Sequence, residues 1–282
     1  MTIKEALNKG IIGLKNQNIE NSKLKARLLM QYILNKPRQY LIVYDNSELS
    51  QKQEKNYFDE IEKLKKGTPL QHITHQQEFM KMTFFVDENV LIPRPDTENL
   101  VEEVIKISKK VNAKKILDLC TGSGAIAVSL AKYIENSQIT AVDISKKALD
   151  ITKINAKNNE VEKQIRLIKS DLFRNLKKEK YDIIVSNPPY IKKEIIKTLD
   201  KEVRKEPIIA LDGGYDGLNF YREIIKKGYE HLKYGGYLCL EIGYDQKEEV
   251  LELIEKENQY TNTYCIKDLY GNDRVIITKV GD

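Results

Sequence analysis

The sequence is poor in cysteine and histidine and has no long apolar run, and each scarcity removes a class of protein. Three cysteines in 282 residues, Cys120, Cys239 and Cys265, are too few and too scattered for a disulfide framework. No CxxC spacing points to zinc. His72 and His75 lie three apart without a Cys, Asp or Glu cluster, so surface or hydrogen-bonded histidine is expected and no metal. No stretch approaches the roughly 20 apolar residues of a bilayer span. The start, MTIKEALNKGIIGL, has neither a long apolar h-region nor a small-residue cleavage site. These absences predict a cytoplasmic protein with no membrane partner.

What is present suits a soluble chain with a buried core: 41% hydrophobic and 32% charged residues. The length is about twice that of a typical domain, which predicts one ordinary domain and a smaller one. The net charge of +5 is unevenly spread. Residues 1–70 carry 13 basic and 8 acidic side chains, leaving 34 of each sign in residues 71–282. The basic excess therefore lies at one end, which suits an anionic partner.

The first 70 residues read as short amphipathic helices. Ile3, Ala6, Leu7 and Leu14 recur at helical spacing, as do Leu24, Leu28, Leu29, Tyr32 and Ile33, with Pro37 closing the second run. A third segment spans residues 39–44. Ser50 and Gln53 form a capping box for a helix carrying Tyr57, Phe58, Ile61 and Leu64, which stops at Gly67 and Pro69. Residues 79–92 are β-prone on both sides of Asp87-Glu88-Asn89, which predicts a hairpin connector turning there. The expected organisation is a helical substrate-recognition domain over 1–76, a β-hairpin connector over 77–92 and a catalytic domain over 93–282.

From about residue 97, helical stretches alternate with short apolar runs at 115–119, 139–142, 165–168, 181–186, 237–242 and 274–278. Such alternation predicts an α/β fold, a mostly parallel sheet with helices on both faces. The first run, Ile116-Leu117-Asp118-Leu119, passes through Cys120-Thr121-Gly122-Ser123-Gly124 into a helix. Ligands in such sheets bind where strands end, and glycine lets backbone approach them closely. The second run ends at Asp143, 21 residues past Gly122, where a carboxylate can accept hydrogen bonds from both ribose hydroxyls.

A dinucleotide fingerprint would need G-x-G-x-x-G, which is absent. D-x-x-x-G-x-G resembles the first motif of Rossmann-like methyltransferases that use S-adenosylmethionine. The resemblance implies that Asp118 helps to hold the methionine part. It also implies that Asp171-Leu172-Phe173, after the third run, supplies a polar and an apolar group for the adenine.

The fourth run ends in Asn187-Pro188-Pro189-Tyr190. Adjacent prolines lack N–H donors, so an acceptor-rich pocket results. An amide or aryl NH2 is a poor nucleophile because its lone pair is delocalised. The Asn187 side-chain oxygen and the Pro188 carbonyl can bind its two hydrogens and aim its nitrogen at a methyl sulfonium, with Tyr190 packing on the flat group. Positioning carries such a transfer, and no strong base is needed before attack.

With these motifs, the chain resembles the HemK/PrmC family of protein-(glutamine-N5) methyltransferases. Further likeness lies in Leu91-Ile92-Pro93-Arg94-Pro95-Asp96-Thr97-Glu98, in Glu206-Pro207 to Asp216-Gly217-Leu218, and in Asp268-Leu269-Tyr270-Gly271-Asn272-Asp273-Arg274. The resemblance implies a seven-stranded Rossmann-like domain after a small helical one. It implies methyl transfer from S-adenosylmethionine, giving S-adenosylhomocysteine, to the glutamine of the Gly-Gly-Gln motif in class I peptide chain release factors. Carried over by position, cofactor contacts fall on Asp118, Cys120, Thr121, Gly122, Ser123, Gly124, Asp143, Asp171, Leu172 and Asn187. The glutamine pocket falls on Asn187, Pro188, Pro189 and Tyr190.

Cys120 stands where many members have a glycine and reads as packing, since no histidine base is nearby in sequence. Arg94 has two readings, a surface group pairing with Asp96 or Glu98 and a residue that helps to close the active site. Residues 206–218 read either as a lid or as a turn-rich connection. Two substrates compete with the release factor: a ribosomal-protein glutamine, and an adenine N6 amine in nucleic acid. The second calls for a basic channel that the neutral catalytic part lacks. A monomer that needs no nucleic acid is expected.

Overall fold

The computed structural model describes residues 1–281. They form two compact units, Met1–Gln76 with Asp200–Lys205, and Gln77–Leu199 with the chain from Glu206 onward. In the first unit the helices are α1 (Ile3–Lys15), α2 (Ser22–Leu34), α3 (Arg38–Val43), α4 (Gln51–Lys65) and α5 (Leu70–Thr74). Capping boxes start two of them, Thr2 with Glu5 before α1 and Ser50 with Gln53 before α4. Leu14, Leu29, Met30, Tyr57 and Leu64 are fully buried at the centre.

One predicted face is corrected. Leu24, Leu28 and Tyr32 are 57%, 40% and 43% exposed, whereas Leu29 of the predicted face is buried and Ile33 packs against the core, with Ala26 and Met30 completing the inward side. This helix is apolar on two sides. The small Ala26 lets α4 approach, with the Tyr57 hydroxyl donating to the Ala26 carbonyl at 3.3 Å.

The second unit begins with a hairpin of β1 (Gln77–Phe79) and β2 (Met82–Phe84). Its turn is Met80-Lys81, both left-handed with φ 50° and 59°, and does not fall at Asp87–Asn89 as the sequence suggested. Phe79 and Phe84 meet edge to face, with centroids 5.9 Å apart, and are buried in the core of this unit. The hairpin is thus an integral part of the catalytic unit, its register set by two core aromatics. Asp87 takes the Asn89 amide in a local turn at 2.8 Å, which is why its composition mimics a hairpin.

There follow α6 (Thr97–Val111), β3 (Lys115–Leu119), α7 (Ala125–Tyr133), β4 (Gln138–Asp143), α8 (Lys146–Asn158), β5 (Ile165–Lys169) and β6 (Tyr181–Ser186). The chain closes with α9 (Asn219–His231), β7 (Leu232–Glu241), α10 (Lys247–Glu255), β8 (Tyr260–Lys267) and β9 (Asp273–Val280). The seven-stranded sheet has the order β5-β4-β3-β6-β7-β9-β8, parallel up to β7 and antiparallel at β9 and β8. Successive strand residues feed opposite cores. Ile116, Ile183 and Cys239 join α6 and α7, whereas Leu117, Ile184 and Leu238 join α9 and α10. From β3 the chain winds outward to β4 and β5, then returns to β6 on the other side. The switch point therefore lies between the ends of β3 and β6.

Candidate active site

The turn after β3 is shaped by its backbone. Cys120 has φ 60°, a left-handed conformation that favours glycine and disfavours a side chain. Gly124 has φ 80°, and a Cβ there would lie 2.6 Å from Thr152, so only glycine lets the loop pack on α8. Asp118 is fully buried behind the loop, and its Oδ2 accepts from the Thr121 hydroxyl at 2.5 Å. Burial pushes its pKa up to about 7, against the Thr121 hydrogen bond. Asp118 thus braces the turn from within. Burial, with Asp143 and Asp118 nearby, also drives the Cys120 thiol up, which agrees with packing and not with a nucleophile.

Asp143, at the end of β4, faces this loop. Its Oδ2 accepts from the Gly122 amide at 2.9 Å and its Oδ1 from the Ser145 amide at 2.8 Å. Burial raises its pKa, and the two amides oppose the rise. An open cavity between the strand ends is lined by Cys120, Gly122, Asp143, Asp171, Leu172, Asn187 and Pro189. Ile144, directly after Asp143, and Phe220, in α9, join them; neither stands out in the sequence, where Asp143 draws the attention and Phe220 belongs to an amphipathic helix.

The other predicted residues sit elsewhere. Thr121, Ser123 and Gly124 are buried within the loop, and the Ser123 carbonyl accepts from Asn155 at 2.8 Å. Phe173 does not face the cavity. It is buried and stacked on His231 at 4.8 Å.

At the end of β6, Pro188 and Pro189 are buried. No donor among the described residues reaches the Asn187, Pro188 or Pro189 carbonyl. The Asn187 Nδ2 donates to Thr97 Oγ1 at 3.1 Å. The Tyr190 carbonyl accepts from Gln246 at 3.1 Å, and burial pushes the Tyr190 hydroxyl up to about 12.

Residues 206–218 are bound onto this segment. The Ile191 amide donates to the Leu211 carbonyl at 3.0 Å, the Gly213 amide donates to the Ile191 carbonyl at 2.9 Å, and a Cβ at Gly217 would lie 2.4 Å from the Tyr190 carbonyl oxygen. Arg94 pairs with Glu206, which also accepts from the Ile92 amide at 2.9 Å. Arg94 thus joins the LIPRPDTE segment to the loop packed on Tyr190, and Asp96 pairs instead with Arg274 at 3.4 Å.

The donor set fits S-adenosylmethionine. Asp143 is held with its oxygens at the cavity wall, Leu172, Pro189 and Ile144 offer apolar surface to a flat base, and Cys120 and Gly122 bring backbone to the cavity.

Comparison with known proteins agrees. The methyltransferase small domain matches residues 96–270, and the PrmC N-terminal domain matches residues 5–74. The release factor glutamine methyltransferase of Clostridium acetobutylicum is 42% identical over 284 residues, covering 100% of this chain and 99% of that protein. The protein of the same name from Clostridium botulinum is 40% identical, covering 98% of each. Among solved structures, a methyltransferase from Pyrococcus furiosus superposes with a TM-score of 0.54 at 19% identity, over 72% of this chain and 91% of that one, a likeness of fold.

Proposed function

The chain belongs to the release factor glutamine methyltransferases, and from that premise we propose that it methylates the side-chain amide N5 of the glutamine in the Gly-Gly-Gln motif of class I peptide chain release factors. The observation that carries the reading is Asn187-Pro188-Pro189-Tyr190 at the switch point, with unclaimed carbonyls beside the cavity of Asp143. Asp143 would hold the ribose hydroxyls, Leu172 and Pro189 the adenine, and the Cys120–Gly122 backbone the methionine part. When bound, S-adenosylmethionine supplies a methyl on a cationic sulfur that leaves as the neutral thioether of S-adenosylhomocysteine.

The chain's own contribution is positioning. The Asn187 side-chain oxygen and the Pro188 carbonyl accept the two N–H groups of the substrate amide, which turns its nitrogen toward the methyl. Tyr190 packs against the amide plane, and its raised pKa keeps it a neutral phenol. As the N–C bond forms and the S–C bond breaks, positive charge passes to the amide nitrogen, which then releases one of its two original protons to solvent water. The reading assigns no metal and no nucleic-acid partner. Its helical unit engages the release factor, and one copy of the chain suffices.

The relatives' names favour neither the ribosomal-protein glutamine nor the adenine amine. The equal charges over residues 71–282 also weigh against phosphate tracking. The test offers methyl-labelled S-adenosylmethionine with a release factor, ribosomal protein and nucleic acid in parallel. Label should enter the release factor; label in nucleic acid instead would refute the reading.

A further inference from the structure

A primary amide has nearly the same shape in both orientations, yet its two ends have opposite chemistry. If Asn187 presented its NH2 to the substrate NH2, donors would meet donors and the nitrogen would not be held. Something must fix the amide, and three distant segments converge to do so.

The Asn187 Nδ2 donates to Thr97 Oγ1 at 3.1 Å. Thr97 is 4% exposed and begins α6, within the LIPRPDTE motif. Glu241, 1% exposed, ends β7, and the register pairs Ser186 with Leu240, so the next residues of these parallel strands, Asn187 and Glu241, are neighbours. The Thr97 hydroxyl and the Asn187 side chain both lie beside the Glu241 carboxylate and favour its ionised form. An ionised carboxylate offers only acceptors, so it favours a donor on its side, the Thr97 hydroxyl and the nitrogen end of the Asn187 amide.

Such a carboxylate is costly to keep. Its Oε2 has no hydrogen-bond partner among the described residues, and Arg274, a countercharge that acts on it, is shared with Asp268 at 3.2 Å and Asp96 at 3.4 Å. We propose that Thr97 and Glu241 are positioning residues that lock the Asn187 amide with its nitrogen inward, so that its oxygen is the end offered to the substrate amide. This rests on the glutamine-methylating reading of Asn187. It gives the Asp96-Thr97 pair of the LIPRPDTE segment a task at the reaction centre.

The test has two arms. In ligand-free enzyme labelled with 15N at asparagine, the Asn187 side-chain NH2 signals are assigned by their loss in Asn187→Ala. Thr97→Val and Glu241→Gln should shift or broaden those signals, and Thr97→Ser should leave them near the wild-type position. With the release factor as substrate, Thr97→Val and Glu241→Gln should lower kcat on the order of 10- to 10²-fold with the KM little changed, and Thr97→Ser should recover most of the rate. Unmoved signals and an unchanged kcat in Thr97→Val would overturn the proposal, as would an effect confined to KM. If Glu241→Gln does not fold, the two Thr97 variants decide alone. The NMR arm uses no substrate, so failure of wild-type enzyme to methylate the factor would count against the glutamine reading and leave the amide's orientation still measured.

Discussion

The Gly122 amide donates to Asp143 Oδ2 at 2.9 Å, so the acid that ends β4 holds the loop that ends β3. With the Ser145 amide on the other oxygen, Asp143 is fixed by the fold itself, and it lines the cavity. The same carboxylate that shapes the loop is the one proposed to hold the ribose. Asp143→Ala should weaken S-adenosylmethionine binding by about 10- to 10²-fold, the scale of hydrogen bonds to a charged group. Titration calorimetry checks this, and an unchanged Kd would remove Asp143 from the ribose site.

Much of this site is legible in the sequence, and what is not has a physical reason. Strands 115–119 and 181–186 are read to the residue because both faces are buried, so apolar residues stand on successive positions and not only alternate ones. Strand β8, Tyr260–Lys267, escapes because it is an edge strand with polar, half-exposed positions. The glycine loop, Asp143 and Asn187 announce themselves by spacing. Thr97 and Glu241 do not, since their role exists only once α6 and β7 meet the end of β6. The hairpin turn is misplaced because Met80-Lys81 lacks the usual Asn-Gly chemistry, while Asp87-Asn89 has turn composition without a hairpin.

Glu241 makes stability and turnover respond oppositely to pH. Burial first, then Asp96, pushes its pKa up to about 7, while Thr97, Arg274 and Asn187 oppose the rise; Tyr190 and Tyr221 also face it. A carboxyl with a raised folded-state pKa contributes stability fully below its ordinary value of 4.5 and loses it as pH rises through 7. Wild type should therefore lose stability relative to Glu241→Gln between these values, on the order of 1–3 kcal/mol. Denaturant titrations across that range measure the difference, and parallel curves would contradict the assignment. Turnover should rise over the same interval, because the ionised carboxylate holds the donor ends of Thr97 and Asn187 more strongly than the neutral acid, whose own proton can donate in their place.

The exposed stripe of α2 offers a separate test of substrate recognition. Leu24 and Leu28 line a surface groove with Lys15, Lys23 and Arg27, in the part of the chain that carries the whole basic excess. An acidic patch with apolar residues on the release factor would fit it. Arg27→Glu should raise the KM for the factor several-fold at low salt, less at high salt, and leave cofactor affinity unchanged. A KM unaffected at low salt would place recognition elsewhere.

The central claim is that Asn187 aims a glutamine amide at a methyl group. The most direct measurement is site-resolved mass spectrometry of a class I release factor after single-turnover reaction with wild type and with Asn187→Ala. The account predicts one added methyl on the glutamine of the Gly-Gly-Gln motif, formed on the order of 10²-fold or more slowly by the variant, whose affinity for S-adenosylmethionine stays largely intact. Methylation at any other residue, or near-normal turnover by Asn187→Ala, would contradict it.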